Sequence, residues 1–297
     1  METKSEPRDV YQIVTDRILK ELEQGVVPWQ KPWTEAGPPQ NLLSRKPYRG
    51  INVWLLATLG YEQNFFLTFK QVKELGGLVK KGEKSFPVIF WKWVEEEDKE
   101  TNEVKRTPFL RYHTVFNVAQ CEGIPTEKIP TLPVRQNNPI EACEEILYKM
   151  PYKPRIKHKE QKAFYYPEFD FINMPRFDSF KDSQSYYATL FHELIHSTGH
   201  KTRLNRKELM AMQPFGSKDY SIEELTAEMG ACYLSSVAGI AKDMTNSIAY
   251  LQGWLDKLKK DKKMLVYAAA HAQKATDYIF NIKFEDKEAV TREEDEP

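Results

Sequence analysis

Two histidines four residues apart, His192 and His196, with Glu193 beside the first, lie within the segment SYYATLFHELIHSTG (185–199). Side chains at i and i+4 come within reach of one small ion on a helix face, so a chain that uses both imidazoles together folds this stretch as a helix. Tyr187, Leu190, Phe191, Leu194 and Ile195 supply apolar positions around the pair, and Gly199 follows as a stop. HExxH carries its own chemistry. Two neutral imidazoles leave a zinc-type ion electrophilic, and the carboxylate beside them can take a proton from water. The bland alternative is an ordinary helix with two solvated histidines.

A zinc-type centre needs a third protein ligand. The extended pattern HExxHxxGxxH is met at Gly199 but requires histidine at position 202, where Thr202 stands. That class is excluded by its own spacing. A following helix, SIEELTAEMGACYL (221–234), offers Glu224 and Glu228 on one face, with Ala227 and Gly230 small enough for close packing. Spacing alone leaves the two acids interchangeable, and it also permits a capping box at Ser221 with a solvated face. The ExxxE arrangement resembles that of the glutamate zincins. This resemblance implies Glu224 on the metal with His192 and His196, Glu228 orienting a histidine from behind, and Glu193 as the general base. Zn²⁺ suits the donor set, with Mn²⁺ or Co²⁺ as alternatives. The same likeness makes Tyr165–Met174 a candidate edge strand for holding extended peptide, against a core strand as the alternative. His200 reads as a rim residue with a substrate-facing role as the alternative, and Tyr220 as a packing tyrosine with oxyanion stabilisation as the alternative.

At 297 residues the chain exceeds one usual domain, and a proline-rich stretch, GIPTEKIPTLP, marks where it divides. The expected organisation is a front domain over 1–124, a linker over 125–138 and a rear domain over 139–297. In the front part, DVYQIVTDRILKELEQ carries an apolar stripe at Val10, Val14, Ile18 and Leu22 and predicts an amphipathic helix. INVWLLATLGY predicts a buried helix. FLTFKQVKELGG predicts another, entered through Thr68 and stopped by Gly76-Gly77. FPVIFWKWV and LRYHTVFNVAQ predict a hairpin whose long tip is the acidic EEEDKETNEVKR. Beyond the linker come a helix, PIEACEEILYKM, two short strands in AFYYPE and FDFINMP, and mostly helix to about Ile282. The class is α+β: a mixed front domain, and a mainly helical rear domain with a small sheet.

No apolar run approaches the ~20 residues of a membrane helix, and the polar start METKSEPRD lacks a leader's apolar core. Cys121, Cys143 and Cys232 show neither paired zinc spacing nor a disulfide framework. A cytoplasmic protein without a membrane partner is expected. Zero net charge hides an uneven distribution: residues 31–92 hold ten basic and four acidic residues, a net of +6. Aromatics interleave with those cations, the pairing that single-stranded nucleic acid requires, since cations track phosphates and flat rings stack on unpaired bases. The candidate DNA contacts are Trp29, Lys31, Trp33, Arg45, Lys46, Tyr48, Arg49, Lys80, Lys81 and Lys84. Trp54, Trp91 and Trp93 lie in apolar elements and read mainly as core.

Several stretches together, VYQIVTDRILKELEQGVVPWQKPW, YRGINVWLL, FLTFKQVKELGGLVKKGEKSFPVIFWK, VFNVAQCEGI and FHELIHSTGHKTRLNR with EELTAEMGA, resemble the plasmid-borne antirestriction proteins of the ArdC type across nearly the whole chain. The resemblance implies a front domain that binds single-stranded DNA and a zincin-like metallopeptidase rear domain. It also implies a role in protecting incoming conjugative DNA from host restriction, with a restriction enzyme or another protein as a peptidase substrate. A DNA shield whose metal site is silent is the alternative. A nuclease ranks lower, because phosphodiester hydrolysis favours carboxylate-rich Mg²⁺ sites.

Overall fold

The computed structural model describes residues 10–24, 37–97, 104–130, 139–210, 218–240 and 248–282. Val14, Ile18 and Leu22 are each 1% exposed, so α1 (Val10–Glu23) buries the stripe its spacing creates. After β1 (Gln40–Asn41), helix α2 (Ile51–Ala57) is buried from Ile51 to Leu56. Its Asn52 is polar yet satisfied: the amide donates to the Ile89 carbonyl at 2.6 Å, and its oxygen accepts from the Ile89 N–H at 2.7 Å. β2 (Phe65–Thr68) leads into α3 (Phe69–Glu74), which Thr68 and Gln71 open with a reciprocal capping box. Gly76, at φ +77°, takes the left-handed conformation that stops it.

β3 (Leu78–Val79) precedes the hairpin of β4 (Phe86–Glu97) and β5 (Val104–Asn117), and β6 (Cys121–Glu122) returns to pair with β3. The larger sheet has the order β1-β2-β5-β4, parallel at β1/β2 and antiparallel elsewhere. The hairpin departs from expectation at its tip. Both strands run well into the acidic stretch, in a register that sets Glu95 opposite Arg106 and Glu96 opposite Lys105.

In the rear half, α4 (Pro139–Lys149) is followed by β7 (Arg155–Lys157), β8 (Phe164–Tyr166) and β9 (Phe171–Asn173), a sheet of order β7-β9-β8. β7 was not expected. It is three residues long with one apolar position, too short to show a period. α5 (Ser183–Thr198), α6 (Lys207–Met210), α7 (Lys218–Ala238), α8 (Ile248–Lys260) and α9 (Met264–Ile279) complete the mixed α/β fold.

The two halves share a core. Val14, Ile18 and Leu22 of α1 and Ile51, Trp54 and Leu55 of α2 enter one cluster with Leu225 and Met229 of α7, Trp254 and Leu258 of α8, and Leu265 of α9. Polar contacts lock the junction: Thr15 Oγ1 donates to the Lys262 carbonyl at 2.9 Å, and the Gly50 N–H donates to Gln273 Oε1 at 3.0 Å. A second cluster joins α4, the small sheet, α5 and α7, so α7 lies in both. Cys121, Cys143 and Cys232 are buried and form no disulfide among the described residues. No described helix is long and apolar enough to cross a membrane.

Candidate metal centre

Asp182 opens α5, its Oδ1 accepting from the Ser185 N–H at 2.7 Å, and Gly199 ends it. Phe191, Leu194 and Ile195 are wholly buried and fix the helix's rotation. His192 and His196 therefore face one side together, with their Nε2 atoms 3.1 Å apart. Two nitrogens each about 2.1 Å from a tetrahedral ion stand about 3.4 Å apart, so the pair suits one cation. From α7, Glu224 brings one oxygen to 3.6 Å from His192 Nε2 and the other to 3.6 Å from His196 Nε2. The three ligand atoms lie within 4.8 Å of one another. Two imidazoles and a carboxylate converging on one point fit a divalent transition metal.

Close approach of the helices allows this. A Cβ on Gly230 would stand 2.6 Å from Ile195 Cδ1 and 2.8 Å from its Cγ1. Gly230→Ala is thus expected to push α7 from α5, destabilising the chain by about 1–3 kcal/mol and weakening metal uptake. Thermal unfolding with and without added Zn²⁺ measures both; an unchanged midpoint would mean that Ile195 gives way freely.

His196 has an acid behind it that the ExxxE pattern did not mark. Glu223, rather than Glu228, meets His196: its Oε1 lies 2.9 Å from Nδ1. The physical reason is helical rotation. Adjacent residues 223 and 224 diverge by about 100°, so one reaches the Nδ1 side of the ring and the other the Nε2 side. With a carboxylate facing Nδ1, that nitrogen carries the proton and Nε2 keeps its lone pair for the site.

Arg206 holds Glu223 with two bonds, Nε to Oε2 at 2.8 Å and Nη2 to Oε1 at 2.7 Å. It also donates to Thr198 Oγ1 at 2.6 Å and to the Ile195 carbonyl at 2.8 Å. Burial alone would raise the Glu223 carboxyl, but the charge and hydrogen bonds of Arg206 and His196 hold it at about 2. Burial likewise opposes ionisation of Glu224, and contacts with His192, His196 and the Tyr220 hydroxyl keep it below the usual carboxylate range.

Tyr220, expected to be a packing residue, is therefore part of the site. Glu193 is 8% exposed and close enough for its charge to act on His196 and Tyr220. His200 is buried rather than on a rim; its Nδ1 lies 2.8 Å from Thr202 Oγ1. Of the peptide-strand candidate Tyr165–Met174, β9 is paired on both sides, and only β8 is at an edge. Glu223 and Arg206 escaped sequence reading. "EE" opens many helices, and nothing local marks an arginine whose partner is 17 residues away.

Among the DNA candidates, Trp29, Lys31 and Trp33 lie outside the described residues. Lys46, Lys81 and Lys84 are exposed cations. Arg45 is exposed but donates to the Lys128 carbonyl at 2.7 Å, and Lys80 donates to the Ala119 carbonyl at 2.8 Å. Arg49 pairs with Asp277 of α9, tying the halves together. Tyr48 is half-buried edge-on against Phe66, and burial pushes its phenol up to about 12. Two rings not singled out in the sequence are open: Phe69, with Lys73 Nζ 4.7 Å from its centre, and Phe90, against His113.

An HExxH helix closed by a glutamate from the next long helix, behind a mixed α/β front domain, defines a two-domain chain with a zincin-like rear half. The comparisons agree part by part. Residues 8–116 match the N-terminal domain of anti-restriction factor ArdC, and residues 141–271 match a zincin-like metallopeptidase domain. The Mn(II)-bound crystal structure of the antirestriction ArdC protein from plasmid R388 superposes with a TM-score of 0.73 at 38% identity, covering 92% of this chain and 97% of that one. An uncharacterized protein, y4eC of Sinorhizobium fredii, is 33% identical over 93% of each chain. A DNA primase TraC of Escherichia coli is 35% identical over 94% of this chain, which spans only 20% of that relative's length. The chain belongs to the ArdC antirestriction family.

Proposed function

We propose that the chain is an antirestriction protein that binds single-stranded DNA through its front half and hydrolyses peptide bonds at the centre in its rear half, protecting conjugative plasmid DNA as it enters a restricting cytoplasm. His192, His196 and Glu224 hold a divalent ion, Zn²⁺ by donor chemistry and Mn²⁺ or Co²⁺ by substitution. The observation that carries the peptidase half is the convergence of those three ligand atoms beside a buried Glu193. A divalent cation there supplies Lewis acidity to a peptide carbonyl. Glu193 takes the proton from the attacking water and returns it to the leaving amine. Glu223 keeps His196 in one tautomer and Arg206 keeps Glu223 ionised, while the Tyr220 hydroxyl steadies Glu224.

A shield with a purely structural centre is the second reading. It is favoured by the Arg206–Glu223–His196 network, which also works as a scaffold between α5 and α7. In either reading the front half acts on the DNA.

Basic contacts along a phosphate backbone predict DNA affinity that falls steeply with salt between about 50 and 200 mM. Fluorescence anisotropy with oligo-dT measures this, and affinity indifferent to salt would count against a cationic groove. Plasmid transfer into a restricting recipient tests the function as a whole. Supplying the protein should raise the recovery of unmodified plasmid; equal recovery without it would reject the assignment.

A further inference from the structure

The rear sheet has two unlike faces. Ile156, Ile172 and Tyr165 stand in register across β7, β9 and β8 and pack into the cluster with Leu190, Phe191 and Leu194 of α5. Alternation puts Arg155, Phe171 and Tyr166 on the opposite side, followed two residues along by Lys157 and Phe164. There the rings form a ladder. Tyr166 lies nearly parallel to Phe171, with centroids 5.6 Å apart at 16°, and to Phe169, at 5.5 Å and 19°. Phe164 meets Phe171 edge-on, and Lys157 Nζ stands 3.7 Å from the Phe171 centroid. The outer rings face solvent: Phe169 is 62% exposed and Tyr166 38%.

The surroundings are cationic. KPRIKHKEQK (153–162) places five Lys and Arg residues against the single acid Glu160. Desolvation and the neighbouring charges of Lys159 and Arg155 hold Lys157 below the usual lysine range, a crowding that an anion relieves. Asp170 is engaged by Arg203 and the Tyr165 hydroxyl, and Glu168 accepts from the Tyr166 hydroxyl at 3.2 Å.

We propose that this face of the peptidase half is a second contact for unpaired nucleic acid, with bases stacking on Phe169 and Tyr166 and phosphates met by Arg155, Lys157 and Lys159. Stacked open rings bordered by cations are the two components single strands require, and every base has a face to stack. A neutral peptide would have no use for the cations. The face lies across the sheet from α5, so a strand bound here is tethered to the domain that carries the metal centre. This extends the nucleic-acid reading of the front half and fails separately from it.

The test is anisotropy with the full chain and a labelled oligo-dT of about 30 nucleotides, long enough for several footprints. Tyr166→Ala with Phe169→Leu removes two exposed rings, and circular dichroism checks that the fold is retained. Affinity should drop about tenfold or more, whereas Phe169→Trp should bind as wild type does. Photo-crosslinking with 5-iododeoxyuridine in the same oligonucleotide should label the 164–171 peptide. Wild-type binding with an unaffected double variant, and crosslinks confined to the front half, would overturn this inference and leave the front-half reading standing. No binding by wild type would end both. An acidic peptide that loses affinity where oligo-dT does not would reassign the face to protein.

Discussion

Glu223→Ala is expected to destabilise the chain by about 3–5 kcal/mol, the range for removing one partner of a buried charge pair. The loss comes mainly from what remains. Arg206 would keep a guanidinium 5% exposed with two donors unpaired, and His196 Nδ1 would lose its acceptor. Thermal unfolding should fall by roughly 5–15 °C. Glu223→Gln is the informative companion, because its amide NH2 must face a donor in either orientation: the Arg206 Nε–H in place of Oε2, or His196 Nδ1 and Arg206 Nη2 in place of Oε1. It should fold, with metal affinity reduced about 10- to 100-fold as His196 loses its fixed tautomer. Calorimetric unfolding and metal titration measure the two effects, and wild-type values in both would show that the network is idle.

Glu193→Gln should leave metal content, DNA affinity and unfolding midpoint near wild type, because Glu193 is neither a ligand in this account nor part of the Arg206 network. Peptide hydrolysis should fall about 100- to 10,000-fold, the usual contribution of a general base. Protection against restriction should fall with it. Retained metal and DNA binding with lost protection would establish hydrolysis as the mechanism. Full protection by the variant would favour the shield.

What could be read without coordinates was local. The spacing of Val14, Ile18 and Leu22 gives away α1 and its buried face. Thr68 and Gly76 mark both ends of α3, and HELIH marks α5 with its two imidazoles on one side. Partners over distance were not legible. Periodicity says which face of α1 is buried, not that it is buried on α7, α8 and α9 of the other half. The same limit hid the acid behind His196. A pattern of two glutamates one turn apart names a shared face, while the rotation of about 100° between residues 223 and 224 brings Glu223 to the Nδ1 side of the ring. Arg49 shows this from the other side: a cation counted toward DNA spends its charge on Asp277.

The central claim is that His192, His196 and Glu224 act together on one cation, and titration of metal-stripped protein with Zn²⁺ and Mn²⁺ tests it most directly. One ion per chain should bind to wild type and to Glu228→Ala, with binding lost or greatly weakened in His192→Ala and Glu224→Ala. Wild type that takes up no stoichiometric metal, or a Glu224→Ala chain that binds as tightly while Glu228→Ala does not, would contradict the account.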